Sequence, residues 1–353
     1  MPYESILRFL TEYDGEKTTI MEICGSHTAA IEHNGIRSLL SPAIRLVSGP
    51  GCPVCVTVSA YIDRLIELSK RPENVIVTFG DLIRVPGSGA SLSDAAALGA
   101  DVRMVYSPMD ILTLAKKEPD RVFIFAAVGF ETTAPVYARL VELSEEDGQK
   151  NVRLLTSLKT MPEVVDILCS SGGEIDGFLA PGHVCAVSGY RIFEPLAEKY
   201  NRPFVAAGFE GNEIMAALYA LVRLKGRGVV RNLYPRVVTA EGNTSAIGAV
   251  SRIFEKGDAS WRGLGRIASS GLYLRKEYER FDAGSRGLDR DRVAEGCRCA
   301  FVLQGKETST ACPLFGKNCT PSSPKGACMV SGEGSCFNAF QNSQNGLDGG
   351  FRP

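Results

Sequence analysis

Val122-Phe123-Ile124-Phe125-Ala126-Ala127-Val128-Gly129-Phe130-Glu131 runs apolar for seven residues, breaks at a glycine and ends on an acid. A short, unbroken apolar run bounded by a turn signal fits a strand buried on both faces. The residues that follow change period, with Val136, Leu140 and Leu143 at helical spacing. The same succession recurs along the chain. Strands are predicted at 18–23, 44–48, 75–79, 102–106, 122–128, 152–155, 178–180 and 204–207. Helical spacings such as Tyr61, Ile62, Leu65, Ile66 and Leu68, or Val164, Val165, Ile167 and Leu168, lie between them. Strands alternating with helices imply parallel sheets covered on both faces, so the expected class is α/β with doubly wound sheets.

Most of these strands end in glycine, proline, aspartate or serine: Gly49-Pro50-Gly51, Gly80-Asp81, Ser107-Pro108, Gly129-Phe130-Glu131, Pro181-Gly182-His183 and Gly208-Phe209-Glu210. Ligands of doubly wound folds bind at the carboxyl ends of the strands. Residues 125–131 also echo residues 205–210, which suggests two related halves meeting at the polar stretch 145–150. Beyond about residue 226 the texture changes: 226–232 and 262–291 are rich in glycine and arginine, and from Gly296 cysteine, glycine and proline dominate. Such a segment buries little apolar surface, so a metal centre is its expected organiser. The division that follows has four parts. They are an N-terminal segment 1–40, two α/β domains at 41–150 and 151–235, and a cysteine-rich iron–sulfur domain at 236–353, with 341–353 as a loose tail.

The 353 residues are 44% hydrophobic and 22% charged, with a net charge of −1 from 39 basic and 40 acidic side chains. That balance gives no footprint for nucleic acid or an anionic membrane. No apolar run approaches the ~20 residues of a membrane span. Met1-Pro2-Tyr3-Glu4-Ser5 lacks the basic and apolar regions of a secretory signal, so the cytoplasm is expected. Eleven cysteines in such a chain point to metal or redox chemistry rather than to a disulfide framework.

Six of those cysteines fall between Cys297 and Cys336. Only Cys297 and Cys299 are tightly spaced, and the intervals from Cys312 through Cys319 and Cys328 to Cys336 are seven, nine and eight residues. Structural zinc favours paired knuckles, whereas wide spacing with a Cys312-Pro313 step suits an iron–sulfur cluster. Zinc and inert thiols are the alternatives, and spacing does not single out four ligands of six. Cys52-Pro53-Val54-Cys55 follows a strand and precedes a helical stretch, which would set its thiols near a helix N-terminus that lowers a thiol pKa. It reads as a redox-active or metal-assisting pair, against a buried pair of small residues. Cys24-Gly25-Ser26-His27 sets a thiol and an imidazole in a glycine turn, where both can face one metal ion or His27 can hold Cys24 as thiolate. Glu131, before Thr132 and Thr133, opens a helix as acid or cap, and His183 is a second strand-end histidine among only three in the chain. Cys169 and Cys185 read as buried structural thiols.

At these residues the chain resembles the HypD family of [NiFe]-hydrogenase maturation proteins. The resemblance is carried in order by Met21-Glu22-Ile23-Cys24-Gly25-Ser26-His27-Thr28, Gly49-Pro50-Gly51-Cys52-Pro53-Val54-Cys55, Phe79-Gly80-Asp81 and Arg84-Val85-Pro86-Gly87. It continues through Val105-Tyr106-Ser107-Pro108-Met109-Asp110, Gly129-Phe130-Glu131-Thr132-Thr133 and Ala180-Pro181-Gly182-His183-Val184. It ends with Trp261-Arg262-Gly263-Leu264-Gly265, Cys312-Pro313-Leu314-Phe315-Gly316 and Met329-Val330-Ser331. The resemblance implies a scaffold on which iron acquires two cyanides and one carbonyl before delivery to a hydrogenase large-subunit precursor. It implies that Cys24 binds the iron together with a thiol of a small HypC-type chaperone, with His27 beside it, and that Cys52 and Cys55 form a redox pair. A HypE-type cyanide donor, fed by a HypF-type carbamoyl transferase, is the implied partner upstream. The C-terminal cysteines match the family's [4Fe–4S] domain. Cys299, Cys312, Cys319 and Cys336 are taken as ligands because the place of Cys328 is not always cysteine in the family. Ala29 stands where some members carry a second histidine, and Ala300 where glycine is common. The competing function is a stand-alone iron–sulfur thiol–disulfide oxidoreductase using Cys52 and Cys55.

Overall fold

The computed structural model describes residues 2–172 and 174–344. Eleven strands form two sheets. The first sheet contains β1 (Thr18–Glu22), β2 (Ile44–Ser48), β7 (Gly177–Pro181), β8 (Phe204–Ala207) and β9 (Val230–Asn232), in the order β2-β1-β7-β8-β9 and parallel throughout. The second contains β3 (Asn74–Thr78), β4 (Val102–Met104), β5 (Val122–Gly129), β6 (Val152–Lys159), β10 (Phe254–Trp261) and β11 (Gly265–Leu274). Its order is β10-β11-β6-β5-β3-β4; the last four strands run parallel and the β10–β11 hairpin adds antiparallel. The expected α/β class is therefore observed, as two sheets dominated by parallel pairing.

The apolar runs explain the layers. Successive side chains of a strand face opposite sides of the sheet. In β5, Ile124, Ala126 and Val128 join one buried cluster, while Phe123, Phe125 and Ala127 join another. Ile76 of β3 divides from Val75 and Val77 in the same way. The cluster that takes Ile124 also takes Met21, Phe178 and Phe204 of the first sheet, so one continuous core joins both sheets. Each fully buried phenylalanine contributes about 2–3 kcal/mol, and a shared core of this kind resists separation of the sheets.

Sheet membership crosses the sequential boundaries. β2, which falls in the expected 41–150 unit, pairs with β1 of the 1–40 segment, while β6 of the 151–235 unit lies beside β5. The β10–β11 hairpin was not visible in the sequence, because it sits at a sheet edge where polar residues and glycines alternate with few apolar ones. The tail expected over 341–353 divides: Gln341 to Gln344 close the helix Ser335–Gln344, and 345–353 lie outside the described residues. Asn342 Nδ2 of that helix donates to the Glu32 carbonyl at 2.9 Å and to Glu32 Oε2 at 2.7 Å, seating it on the helix Gly25–His33. No described helix is long and apolar enough to cross a membrane.

Topology then fixes where chemistry can collect. β1 has β2 on one side and β7 on the other, so chain order reverses at its carboxyl end. That is the switch point at which open α/β sheets leave a crevice. Cys24 stands there.

Candidate metal and thiol site

Cys24 is the N-cap of the helix Gly25–His33, in extended backbone conformation, and only 7% exposed. Burial pushes its thiol up to about 12, with the Glu333 and Glu22 carboxylates adding to the rise; the backbone N–H groups of His27 and Ser26 oppose it. A thiol held this way ionises when an electrophile or cation arrives to replace the lost water. The Cys24 N–H donates to Glu22 Oε2 at 3.1 Å, and Thr28 Oγ1 donates to Glu22 Oε1 at 2.6 Å. Glu22 is wholly buried, which raises its carboxyl to about 7. From the sequence alone Glu22 is an ordinary member of the strand expected over 18–23. The signal is an acid set between apolar neighbours, Met21 and Ile23, two residues before Cys24.

The second turn lies directly on the first. Gly25 N–H donates to the Gly51 carbonyl at 2.9 Å, and a methyl group at Gly51 would overlap the backbone of Cys24. Only glycine permits this approach. Cys52 and Cys55 are disulfide-bonded with Cα atoms 5.2 Å apart, and Cys55 N–H donates to Cys52 Sγ at 3.1 Å. The expected helix N-terminus does not reach them, since the next helix starts at Ser59 after a turn. A macrodipole acts within about one turn of its helix end, so the Cys55 amide is what supports charge on Cys52.

His27 is fully buried, and its Nε2 lies 2.9 Å from the Gly208 carbonyl. A carbonyl can only accept, so Nε2 carries the proton and Nδ1 presents a lone pair. That Nδ1 has no hydrogen-bond partner. Burial lowers the imidazole to about 4, which keeps it neutral and able to ligate. The expectation that the His27 ring holds Cys24 as thiolate is not what the fold does. The His27 backbone N–H faces the thiol, while the ring is held at Gly208 and Phe209. Phe209 stands against both expected histidines, 4.7 Å from the His27 centroid and 4.1 Å from that of His183. His183 is exposed, in contrast to His27.

Glu131 and Glu210 show how the echoed motifs part company. Glu210 is an exposed N-cap in a capping box with Glu213. Glu131 keeps Oε1 on the Met161 N–H at 2.8 Å, while its Oε2 is enclosed without a partner. Burial raises this carboxyl to about 7. Cys185, read from sequence as structural, lies within electrostatic reach of both Cys24 and Glu131, and burial holds its thiol well above the usual range.

The C-terminal region supplies two further parts that sequence reasoning missed. Ser26 Oγ donates to Glu333 Oε1 at 3.0 Å, and Glu333 covers the face of Gly25 where a Cβ would sit. Arg262 ties the segment after the Cys52–Cys55 turn to the cysteine-rich end. Its N–H donates to the Val56 carbonyl at 2.8 Å, its Nε meets Asp291 Oδ1 at 3.2 Å, and its charge bears on Cys299.

All six cysteines of the C-terminal region line one small cavity with Val302, Leu314, Phe315 and Met329. Within it, Cys299 Sγ and Cys328 Sγ stand 3.1 Å apart, both buried. Each perturbs the other's ionisation: the Cys328 S–H draws the Cys299 thiol down, and the same contact with burial drives the Cys328 thiol up. Cys297, Cys312, Cys319 and Cys336 remain around the same cavity. Among the described residues no three Cys, His, Asp or Glu side chains converge on a single-ion site. A cluster, which is itself several atoms wide, takes its thiolates from a larger ring in an apolar pocket, and the four remaining cysteines with their apolar neighbours fit that requirement.

The sequence model described as the hydrogenase formation hypA family, HypD, matches residues 3–343. The chain is 42% identical over 333 residues to the hydrogenase maturation factor HypD of Rhodobacter capsulatus, covering 91% of this chain and 88% of the relative. It is 41% identical over 330 residues to HypD of Azotobacter vinelandii, at 90% and 87% coverage. To HypD of Cupriavidus necator it is 40% identical over 336 residues, at 91% and 89% coverage.

Proposed function

Because this chain belongs to the HypD family of hydrogenase maturation factors, we propose that it is the scaffold on which an iron ion gains two cyanides and one carbonyl. Cys24 anchors the iron as a thiolate, together with a thiol from a HypC-type chaperone, with the neutral His27 imidazole as the further donor assigned to it. Cyanide comes from a HypE-type donor supplied by a HypF-type carbamoyl transferase, and the finished group passes to the hydrogenase large-subunit precursor. Cys297, Cys312, Cys319 and Cys336 hold a [4Fe–4S] cluster, with Cys297 taking the place that the resemblance gave to Cys299. When bound, that cluster supplies electrons one at a time.

The protein's own groups perform the rest. Cys24 starts as a protonated, buried thiol and loses its proton as the iron binds. Glu22, raised to about 7, lies two residues away and can take that proton. Cys52 and Cys55 cycle between disulfide and dithiol beside it. Burial of Cys24, His27 and Glu22 excludes water from the iron's surroundings, which suits thiolate ligation. Glu131, raised to about 7 and so still partly protonated near neutral pH, offers an acid proton on the second sheet.

The observation that carries this reading is the meeting of three distant stretches at one thiol: the Cys24 turn, the Gly51 carbonyl and Glu333. Infrared spectroscopy of the protein purified with its HypC-type partner tests it. Cyanide and carbonyl stretching bands present in wild type and lost in Cys24→Ala are expected. Their absence from the wild-type complex, with Cys52 and Cys55 still exchanging with dithiols, would favour the oxidoreductase instead.

A further inference from the structure

Lys159 closes β6 and is 3% exposed. Its Nζ donates to Ser157 Oγ at 2.8 Å and lies 5.8 Å from the centroid of the Trp261 ring. Among the described residues no carboxylate pairs with it, and burial alone lowers the amine to about 7. An ammonium taken out of water without an anion costs several kcal/mol, so Lys159 rests in large part as the neutral amine and gains its proton when an anion forms nearby.

The hydroxyls beside it show where that anion arises. Thr57 Oγ1 donates to the Pro53 carbonyl at 2.9 Å, and a carbonyl can only accept. The Thr57 oxygen therefore accepts from Ser157 Oγ, 3.2 Å away, and Ser157 in turn accepts from Lys159. Every proton in this chain points from Lys159 toward Pro53, which lies between Cys52 and Cys55. Thr57 is fully buried and Ser157 is 9% exposed, so water does not short-circuit the path. The chain ends at the Pro53 carbonyl, and in the residue before it Cys52 Sγ accepts the Cys55 N–H at 3.1 Å, which favours Cys52 as the sulfur that carries charge after reduction.

We propose that Lys159 is a positioning residue for the Cys52–Cys55 pair: through Ser157 and Thr57 it stabilises the reduced turn, holding as ammonium the proton that balances a Cys52 thiolate. The proposal rests on the reading of this pair as redox-active. With a small dithiol as reductant, the Cys52–Cys55 bond breaks and the dithiol closes to its own disulfide. Of the two thiol protons released, one stays on Cys55 and the other ends on the Lys159 amine, leaving Cys52 as thiolate. Electrons, protons and charge then balance. The thiolate supplies the missing counter-ion.

The test is a thiol–disulfide equilibrium in dithiothreitol buffers at pH 7, with the Cys52 and Cys55 redox state read by alkylation and mass spectrometry of the full chain. Lys159→Met is expected to shift the equilibrium at least tenfold toward the disulfide, about 30 mV for a two-electron couple. Lys159→Arg, which keeps the charge, should stay within threefold of wild type. A folded Lys159→Met protein that shifts less than twofold overturns the proposal. Should Lys159→Met not fold, Ser157→Ala decides: a shift of threefold or more supports the chain of hydroxyls, and one under twofold overturns it. A wild-type pair that never reduces across the buffer range sinks the redox reading and this inference together, whereas a titrating wild type with an unshifted variant sinks this inference alone.

Discussion

The sulfurs of Cys299 and Cys328 lie 3.1 Å apart in the C-terminal cavity and shift each other's ionisation in opposite directions. Two thiols so engaged form a local pair, and the other four cysteines are left to surround the cavity. Cys299→Ser is therefore expected to retain the visible charge-transfer absorption of a reconstituted cluster and close to four irons per chain. Cys297→Ser should lose at least half of both. Anaerobic reconstitution with iron and sulfide analysis reads this directly, and the reverse pattern would restore Cys299 to the ligand set.

Gly51 and Cys24 set a steric demand that is independent of metal. Gly51→Ala places a methyl group against the Cys24 backbone, and backbone cannot step aside as a flexible side chain can. A cost of about 2–4 kcal/mol is expected, with loss of the Gly25 to Gly51 hydrogen bond. Gly89→Ala is the matched control, since nothing lies within 4 Å of its added carbon; it should move stability by no more than about 0.5 kcal/mol. Chemical denaturation of the two variants compares them.

How far the chain was legible follows from the range of the forces involved. β2 and β8 match their expected bounds residue for residue, because burial is written into every position of β8 and into every position of β2 except Arg45. The pairing of β1 with both β2 and β7 is a long-range fact that no local period encodes. Glu333 was hidden for the same reason: it sits in an aperiodic loop and becomes part of the Cys24 turn only when the helix Ser335–Gln344 seats on Glu32. Cys24, His27, Cys52 and Cys55 were readable because glycine turns at strand ends announce themselves. The division of six cysteines into a pair and a ring was not, since spacing along a loop says little about distance in space.

Glu131 gives the protein a pH dependence of defined sign. Its carboxyl is raised from 4.5 to about 7 by burial, so the folded state binds its proton more tightly than the unfolded chain. Stability from this group is complete below about pH 4.5 and falls as pH rises toward 7. Glu131→Gln removes the titration while keeping an oxygen for the Met161 N–H. Relative to wild type, the variant should gain about 1–3 kcal/mol between pH 4.5 and pH 8. Denaturant midpoints of both proteins across that range check it, and parallel curves would assign the titration elsewhere.

Glu333 acts as a cover for Cys24. Its carboxylate accepts the Ser26 hydroxyl, and its side chain occupies the open side of Gly25. Removing it opens a route to a thiol that is 7% exposed while leaving the helix Ser335–Gln344 anchored through Asn342. Glu333→Ala is expected to raise the maleimide labelling rate of Cys24 at least threefold, followed by mass spectrometry of the Cys24 peptide. Cys169, remote from this loop, should label at its wild-type rate. A uniform rise at both cysteines would mean general loosening, and an unchanged Cys24 rate would show that the thiol is shielded by the Gly51 turn alone.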